Sequence, residues 1–318
     1  MQAVRVHEGG ALVHETIAEP EPGPGEALVE LRYAGLNRRD LFVCKAVYPF
    51  PLPLVPGSDG AGVRRDTGEE VVIYPALGWG NREAAPGDDF QILGGPRDGT
   101  YAELVAVPEA NLYPRPARLS WEEAAAFPLA ALTAYRALFS RGRLDAGETV
   151  LVLGAGSGVS TFAVQLAAQA GARVLVTSSS DEKIARAVEL GAAGGVNYAT
   201  GDWVEGVKEL GGADVVLDSV GSTWQQSLDC LRKGGRCVVF GATGGTEVML
   251  QVRPVYFGQH SLLGTMMGSP RDLAELLLML QEGSWRPVID SVWPLAEIEA
   301  ALARLEGPAH FGKIVVAV

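Results

Sequence analysis

Cysteine and histidine are scarce in this sequence, with three of the first and four of the second in 318 residues. Cys44, Cys230 and Cys237 are far apart and form no C-x-x-C pair, which excludes a disulfide framework and a clustered zinc site. Among His7, His14, His260 and His310 no two have the spacing of metal ligands on one helix turn or hairpin, so they read as ordinary surface or strand histidines. Cys237, in the apolar run CVVF, reads as buried filler, and Cys44 as a small passive side chain. Positive charge is also short: 26 Lys and Arg against 38 Asp and Glu leave a net charge of −12, with no Lys/Arg-rich run. That balance repels nucleic-acid phosphates and anionic membranes, leaving small molecules or another subunit as the expected partners. No apolar run approaches the roughly 18 residues of a membrane span, and the opening MQAVRVHEGG alternates instead of forming an apolar signal stretch. A soluble, cytoplasmic protein is expected. Internal repeats and low-complexity tracts are lacking too.

What is present is apolar content, 47% of the chain, enough to bury a large core and, at this length, two domains. The most informative segment is Thr149 to Lys183, TVLVLGAGSGVSTFAVQLAAQAGARVLVTSSSDEK. Val150 to Leu153 is an apolar run of strand length, as in a parallel strand buried on both faces. Gly154, Gly156 and Gly158 follow, then Val159, Phe162, Ala163, Leu166, Ala167 and Ala170 recur at the spacing of a helix lying on a sheet. Gly171 ends the helix and Ala172 to Thr177 supplies a second strand. The glycines therefore open a helix, where backbone N–H groups and the helix dipole attract phosphate. The strict G-x-G-x-x-G spelling fails, since Val159 or Thr161 stands last, but the strand–loop–helix–strand context supports a dinucleotide site.

Residues 1 to about 115 read as strands and turns, punctuated by PEPGPGE, PFPLPLVPG and GGPRDG, with strands at Ala3–Val6, Ala27–Tyr33, Glu70–Tyr74 and Tyr101–Val107. Ser120 to Glu123 is an S-x-x-E capping box opening an alanine-rich helical stretch interrupted at Pro128. From Thr149 to about Gly268 strands and helices alternate, which predicts a doubly wound parallel sheet with His260–Thr265 as its sixth strand. The helix Arg271–Gln281, a strand near Val288–Val292, the helix Leu295–Leu305 and the strand Lys313–Val318 close the chain. The expected architecture is α/β: a β-rich domain from 1–124 and 269–318, a Rossmann domain from 125–268, and a cleft between them.

Several motifs in order resemble the medium-chain dehydrogenase/reductase superfamily, and specifically its zinc-free members such as quinone oxidoreductases. They are Gly35-Leu36-Asn37-Arg38-Arg39-Asp40, the stretch Tyr48-Pro49 to Pro56-Gly57-Ser58-Asp59-Gly60-Ala61-Gly62, Leu132-Thr133-Ala134-Tyr135, the glycine loop, Val196-Asn197-Tyr198, Asp218-Ser219-Val220-Gly221, Phe240-Gly241-Ala242 and Phe311-Gly312-Lys313-Ile314-Val315. The resemblance implies a GroES-like domain beside the Rossmann domain. The positions matching the catalytic zinc ligands of metal-dependent relatives are Asn37, Ser58 and Leu129, none a good zinc ligand, and the stretch matching their structural zinc site, Ala76 to Gln91, has no cysteine. Neither metal is expected.

At the end of the second strand, where an NAD site usually carries an acid, the chain has Thr177, Ser178 and Ser179. Asp181 and Glu182 follow, but Ser179 to Glu182 also spells a capping box that assigns them to a helix start. Lys183 either meets a 2′-phosphate, with Ser178 and a tyrosine matching Tyr198, or is a solvated helix charge. NADPH is expected over NADH. Gly156, Ser157, Gly158, Val159 and Ser160 are expected to supply pyrophosphate contacts, Ser160 standing where most relatives have glycine. The resemblance implies that Thr133, Ser219, Phe240, Gly241, Ala242 and Thr265 to Met267, including Met266, surround ribose and nicotinamide, with Lys313 and Arg38 reaching phosphate or ribose oxygens. Phe240 and Ala242 read equally well as core.

Tyr48 is a candidate proton donor to the acceptor oxygen, or packs on the prolines around it, and Asn37 a candidate for positioning the carbonyl or the nicotinamide. Asp40 and Asp59 match positions beside the vacated metal site. The expected activity is zinc-independent, NADPH-dependent reduction of a quinone or α,β-unsaturated carbonyl. An alcohol dehydrogenase and a non-catalytic NADPH-binding sensor or structural protein remain open. A homodimer paired through the edge strand His260–Thr265 is expected.

Overall fold

Alternation of apolar and polar residues from Ala27 onward is realised as the strand Glu26–Gly35, with Ala27, Val29, Leu31 and Ala34 turned into the core. In the computed structural model, which describes residues 1–318, this strand is the hub of the first of two compact units. It pairs antiparallel with Asp59–Arg64, with Lys313–Ala317 and with Leu104–Pro108 inside a seven-stranded sheet. Gly35 stands opposite both Asp59 and Val315. The register thus brings Asn37, just past the end of one strand, to Asp59 and Lys313 at the near ends of its two neighbours. Gly35 has to be glycine, since a Cβ there would lie 2.4 Å from the carbonyl oxygen of Ala125 on the helix Trp121–Ala126. That helix opens with the expected capping box: Ser120 Oγ accepts from Glu123 N–H, and the Glu123 carboxylate accepts from Ser120 N–H. Pro128 starts a separate helix, Pro128–Tyr135, in the position where a missing N–H costs nothing.

The second unit is built on a six-stranded, all-parallel sheet: β1 (Thr149–Val152), β2 (Arg173–Ser178), β3 (Gly194–Asn197), β4 (Ala213–Asp218), β5 (Leu231–Val239) and β6 (Ser261–Gly264). Their order across the sheet is β3-β2-β1-β4-β5-β6, the dinucleotide-binding arrangement, with its reversal between β1 and β4. All four residues of β1 are buried, as its uninterrupted apolar run requires. Phe162 and Leu166 of the helix Gly158–Gln169 are fully buried, each contributing about 1.5–3 kcal/mol relative to exposure. Phe162 also meets Trp285 edge-on at 5.7 Å.

The observed division differs from the expected one at two places. The second unit begins at Ala131, because the helix Trp121–Ala126 packs on Gly35, and it reclaims Glu275–Trp285, the latter held by the Phe162 contact. No helix is long and apolar enough to cross a membrane.

Candidate active site

The second unit's candidate residues lie just beyond the carboxyl ends of its strands. Gly154 and Gly156 turn the chain at φ +73° and +101°, and a Cβ on Gly154 would meet nothing within 4 Å, leaving open space over the loop. Ala155 N–H is bonded to Thr177 O and Ser160 N–H to Ser157 Oγ, whereas the N–H groups of Gly156, Gly158 and Val159 donate to no protein acceptor. Unpaired amides at the start of a 12-residue helix fit a pyrophosphate. The Ser160 hydroxyl turns inward, donating to Leu153 O at 3.1 Å, so the departure from glycine ties helix to strand.

At the end of β2, Ser178 is buried and its hydroxyl accepts from Ser180 N–H. The helix cap is Ser180, whose Oγ accepts from Lys183 N–H, not Ser179 as the S-x-x-E spelling suggested. The next helix, Asp181–Glu189, therefore places Lys183 in its first turn. Asp181 is occupied by Asn197 Nδ2 at 2.9 Å. Tyr198, 49% exposed, is held beside Ser178 by its N–H on Ser178 O. Backbone bonds thus link Ser178, Ser180, Lys183 and Tyr198 around the end of β2, a group whose hydroxyl, ammonium and phenol are donor types a phosphate would need.

Ser219, Phe240, Gly241, Ala242, Thr265 and Met266 follow β4, β5 and β6. Gly241 lies so close to Ser219 that a Cβ would sit 2.6 Å from its carbonyl oxygen. Thr265 N–H donates to Val239 O, and its buried Oγ1 has no partner. Thr133 is buried in the helix Pro128–Tyr135. The residue that shapes the β4 loop is Asp218, to which sequence reasoning assigns no role. Its Oδ1 accepts from Val220 and Gly221 N–H, and its Oδ2 from the hydroxyls of Thr223 and Ser227. The signal is there to be read: an Asp at a strand end with glycine three residues on is the pattern of an Asx-type turn.

In the first unit, Asn37 precedes the helix α1 (Arg38–Cys44), its N–H bonded to the Asp40 carboxylate. Asn37 Nδ2 donates to Asp59 Oδ2 at 2.9 Å, and Lys313 Nζ donates to Asn37 Oδ1 at 2.5 Å and to Leu36 O at 2.6 Å, with Asp59 Oδ2 at 3.4 Å. Leu129 N–H closes the ring on Asp59 Oδ1. Lys313 is 3% exposed and its ammonium is spent inside this cluster. Burial pushes the Asp59 carboxyl up to about 6 against the pull of Lys313, and burial likewise raises Asp40 and lowers Lys313. Ser58 donates to Leu93 O, and Tyr101 OH donates to Asp40. Arg39 fans over Ser58 Oγ and the carbonyls of Ile92, Leu93, Gly94 and Gly95, under the Phe50 ring. Tyr48, 40% exposed, packs between Phe42 and Phe50 and shares no hydrogen bond with Asn37. Arg38 is exposed at the start of α1.

The profile of the alcohol dehydrogenase GroES-like domain matches residues 23–117, and that of the zinc-binding dehydrogenase residues 158–282. A zinc-type alcohol dehydrogenase-like protein of Schizosaccharomyces pombe is 37% identical over 315 residues, covering 92% of this chain and 91% of its own. The chain belongs to the medium-chain dehydrogenase/reductase superfamily. Among solved structures, an NAD-dependent alcohol dehydrogenase is 40% identical with a TM-score of 0.95, and the quinone oxidoreductase of Thermus thermophilus, also solved with NADPH, is 33% identical with a TM-score of 0.85. Both are covered in full, as is this chain. The protein is an oxidoreductase of this superfamily, with its GroES-like and Rossmann domains.

Asn37, Ser58 and Leu129 are the positions that the resemblance matches to the catalytic zinc ligands of metal-dependent relatives. Here Asn37 and Leu129 converge on Asp59, and Ser58 is the residue before it, but they bring an amide, a hydroxyl and an aliphatic side chain. The cation in contact with Asn37 is the Lys313 ammonium. That donor set does not fit zinc. No group of three or more His, Cys, Asp or Glu side chains is gathered elsewhere to hold a metal ion.

Proposed function

We propose that this chain is a zinc-independent, NADPH-dependent reductase of quinones or α,β-unsaturated carbonyl compounds. The observation that carries the reading is the cluster around Asp59, where an amide and a buried ammonium stand in place of metal ligands. Without a Lewis acid, an alkoxide has no strong stabiliser, whereas an enone or quinone is already activated toward hydride. The bound nicotinamide supplies that hydride. Holding the acceptor and donating to its oxygen falls to the chain, with Asn37 Nδ2 and the Tyr48 phenol as the donors proposed. Preference for NADPH is supported by the hydroxyl and ammonium groups at the end of β2, by Asp181 being engaged with Asn197, and by the NADPH complex of the Thermus enzyme. Purified, metal-free protein should oxidise NADPH in the presence of 9,10-phenanthrenequinone or a simple enone. Inactivity across a broad panel of both would sink the proposal.

A second reading, an alcohol dehydrogenase, is favoured by the likeness to the NAD-dependent enzyme. Stoichiometric zinc in protein purified without chelators, with alcohol-dependent reduction of NAD⁺, would replace the first reading by this one. Tight NADPH binding with no acceptor reduced would instead favour a non-catalytic sensor. A cytoplasmic homodimer is part of the proposal: β6 leaves one edge unpaired, and Met249, Val252, Tyr256 and Phe257 are exposed on and before the helix Val252–Gly258 that leads to it. Sedimentation at the monomer mass would remove that part.

A further inference from the structure

The hydrogen-bond valence of Asn37 is almost exhausted by its own protein. Its amide carries one acceptor oxygen and two N–H donors. The oxygen takes the Lys313 ammonium at 2.5 Å, and one N–H goes to Asp59 Oδ2 at 2.9 Å. Rotating the amide by half a turn would set its oxygen against the Asp59 carboxylate and its NH₂ against the ammonium, two like contacts in a buried place. Only one orientation is therefore tenable. Neither neighbour is free to follow a rotation. Lys313 Nζ is also fixed on Leu36 O at 2.6 Å, and Asp59 Oδ1 is fixed by Leu129 N–H at 2.8 Å. Asn37 is 6% exposed, Lys313 3% and Asp59 fully buried, so water does not compete for these bonds.

We propose that Lys313 is a positioning residue for the acceptor site: it locks the Asn37 amide so that a single N–H is all the residue can offer a bound molecule. This rests on the reductase reading above and deepens it. A locked donor matches an oxygen that gains negative charge, the carbonyl of an enone or quinone becoming an enolate or quinol oxygen. It has nothing to offer the hydroxyl proton of an alcohol, which needs an acceptor. The ammonium on the amide oxygen also draws electron density from nitrogen and strengthens the remaining N–H as a donor. Lys313 itself touches neither substrate nor cofactor in this arrangement. The FGK motif at the end of the chain then serves the acceptor rather than a phosphate.

The test is a double-mutant cycle on full-length protein with NADPH and the acceptor found active. Asn37→Ala should lower kcat by about 100-fold, the scale of losing one donor to a developing oxyanion. Lys313→Met should lower kcat by roughly 10- to 100-fold with NADPH binding little changed. The double variant should be no slower than Asn37→Ala, because Lys313 acts through the amide. Lys313→Met at wild-type kcat, or a double variant slower by the product of the two single effects, overturns the proposal. If Lys313→Met does not fold, Lys313→Met with Asp59→Asn removes both buried charges and enters the cycle in its place. A readout independent of turnover is side-chain amide exchange by NMR, with the Asn37 signals assigned through Asn37→Asp. One Nδ2 proton should be protected and the other exchange freely, and equal exchange of the two overturns the lock. Wild-type protein inert to every acceptor while the exchange pattern holds would instead reject the reductase reading and leave the lock standing.

Discussion

The hydroxyl of Ser160 lies 3.1 Å from the carbonyl oxygen of Leu153 and 2.7 Å from the hydroxyl of Ser157. It occupies the junction of helix and strand where the resemblance implies a glycine, and it gives the carbonyl beyond the end of β1 a partner. Ser160→Ala is expected to cost about 1 kcal/mol, the net worth of one buried neutral hydrogen bond. Cofactor affinity should barely move, since the free amides belong to Gly156, Gly158 and Val159. Urea unfolding and a fluorescence titration with NADPH read the two effects separately.

The corner at Ser178, Lys183 and Tyr198 governs coenzyme choice in the proposed function. Lys183→Ala should weaken NADPH by roughly 10- to 100-fold, the range of one charge-assisted hydrogen bond, while leaving NADH unchanged. Ser178→Ala should act in the same direction with a smaller effect. The ratio of kcat/KM for the two coenzymes is the measurement, and an equal loss for both would point to a folding role instead.

Asp59 makes stability depend on pH in a direction opposite to the usual salt-bridged acid. Burial pushes its carboxyl up to about 6, above the ordinary 3.8, so between those values the folded chain binds more protons than the unfolded one. Its contribution is therefore fully present below the unfolded value and is lost as pH rises through the folded one. The unfolding free energy of wild type minus that of Asp59→Asn should fall steadily from about pH 4 to about pH 6, go on falling just above it, and level once the folded carboxyl is fully ionised. Chemical denaturation at stepped pH measures it.

Asp218 holds four donors around the turn that carries Ser219. Asp218→Ala strands two backbone N–H groups and two hydroxyls, and a loss on the order of 3–5 kcal/mol is expected. Calorimetry should record a lower Tm, and NADPH affinity should fall with it because the loop after β4 loses its shape.

Tyr48→Phe separates chemistry from packing. The ring contacts with Phe42 and Phe50 survive the change, so Tm should stay within a degree or so, while a proton-donor role predicts a fall in kcat of about 100-fold or more. Unchanged kcat would reduce Tyr48 to a wall of the aromatic group.

Local pattern carries much of this molecule. The strand, glycine turn and helix from Thr149 to Gln169 announce themselves because each residue's periodicity agrees with its place in the sheet. β3 is hidden by its composition: Gly194 and Gly195 break the apolar run, and Gly195 is there because a Cβ would meet Val176 at 2.7 Å, a constraint set by a strand about 20 residues earlier. The helices Trp203–Glu209 and Val252–Gly258 are likewise not announced by their sequence, the second having no buried residue to give it a face. In the site, Asn37 and Asp59 are marked by their motifs, but the bond from Lys313 joins residues 276 apart and depends on the pairing of three strands. No short window of sequence carries such a register.

Arg39 draws Ser58 and four successive carbonyls, Ile92 to Gly95, onto one guanidinium. The ladder Ala76–Leu77 with Gln91–Ile92 closes the same stretch from its base. Residues between these ladder strands are held inside the loop as well: Trp79 Nε1 donates to Arg82 O, Gly87 N–H to Trp79 O, and the Ser269 hydroxyl to the Glu83 carboxylate. The lobe is therefore fastened at three separate points, and a peptide tag inserted near Glu83 would break its tie to Ser269, whereas replacing the one arginine would take the shared donor from four carbonyls and leave the ladder in place.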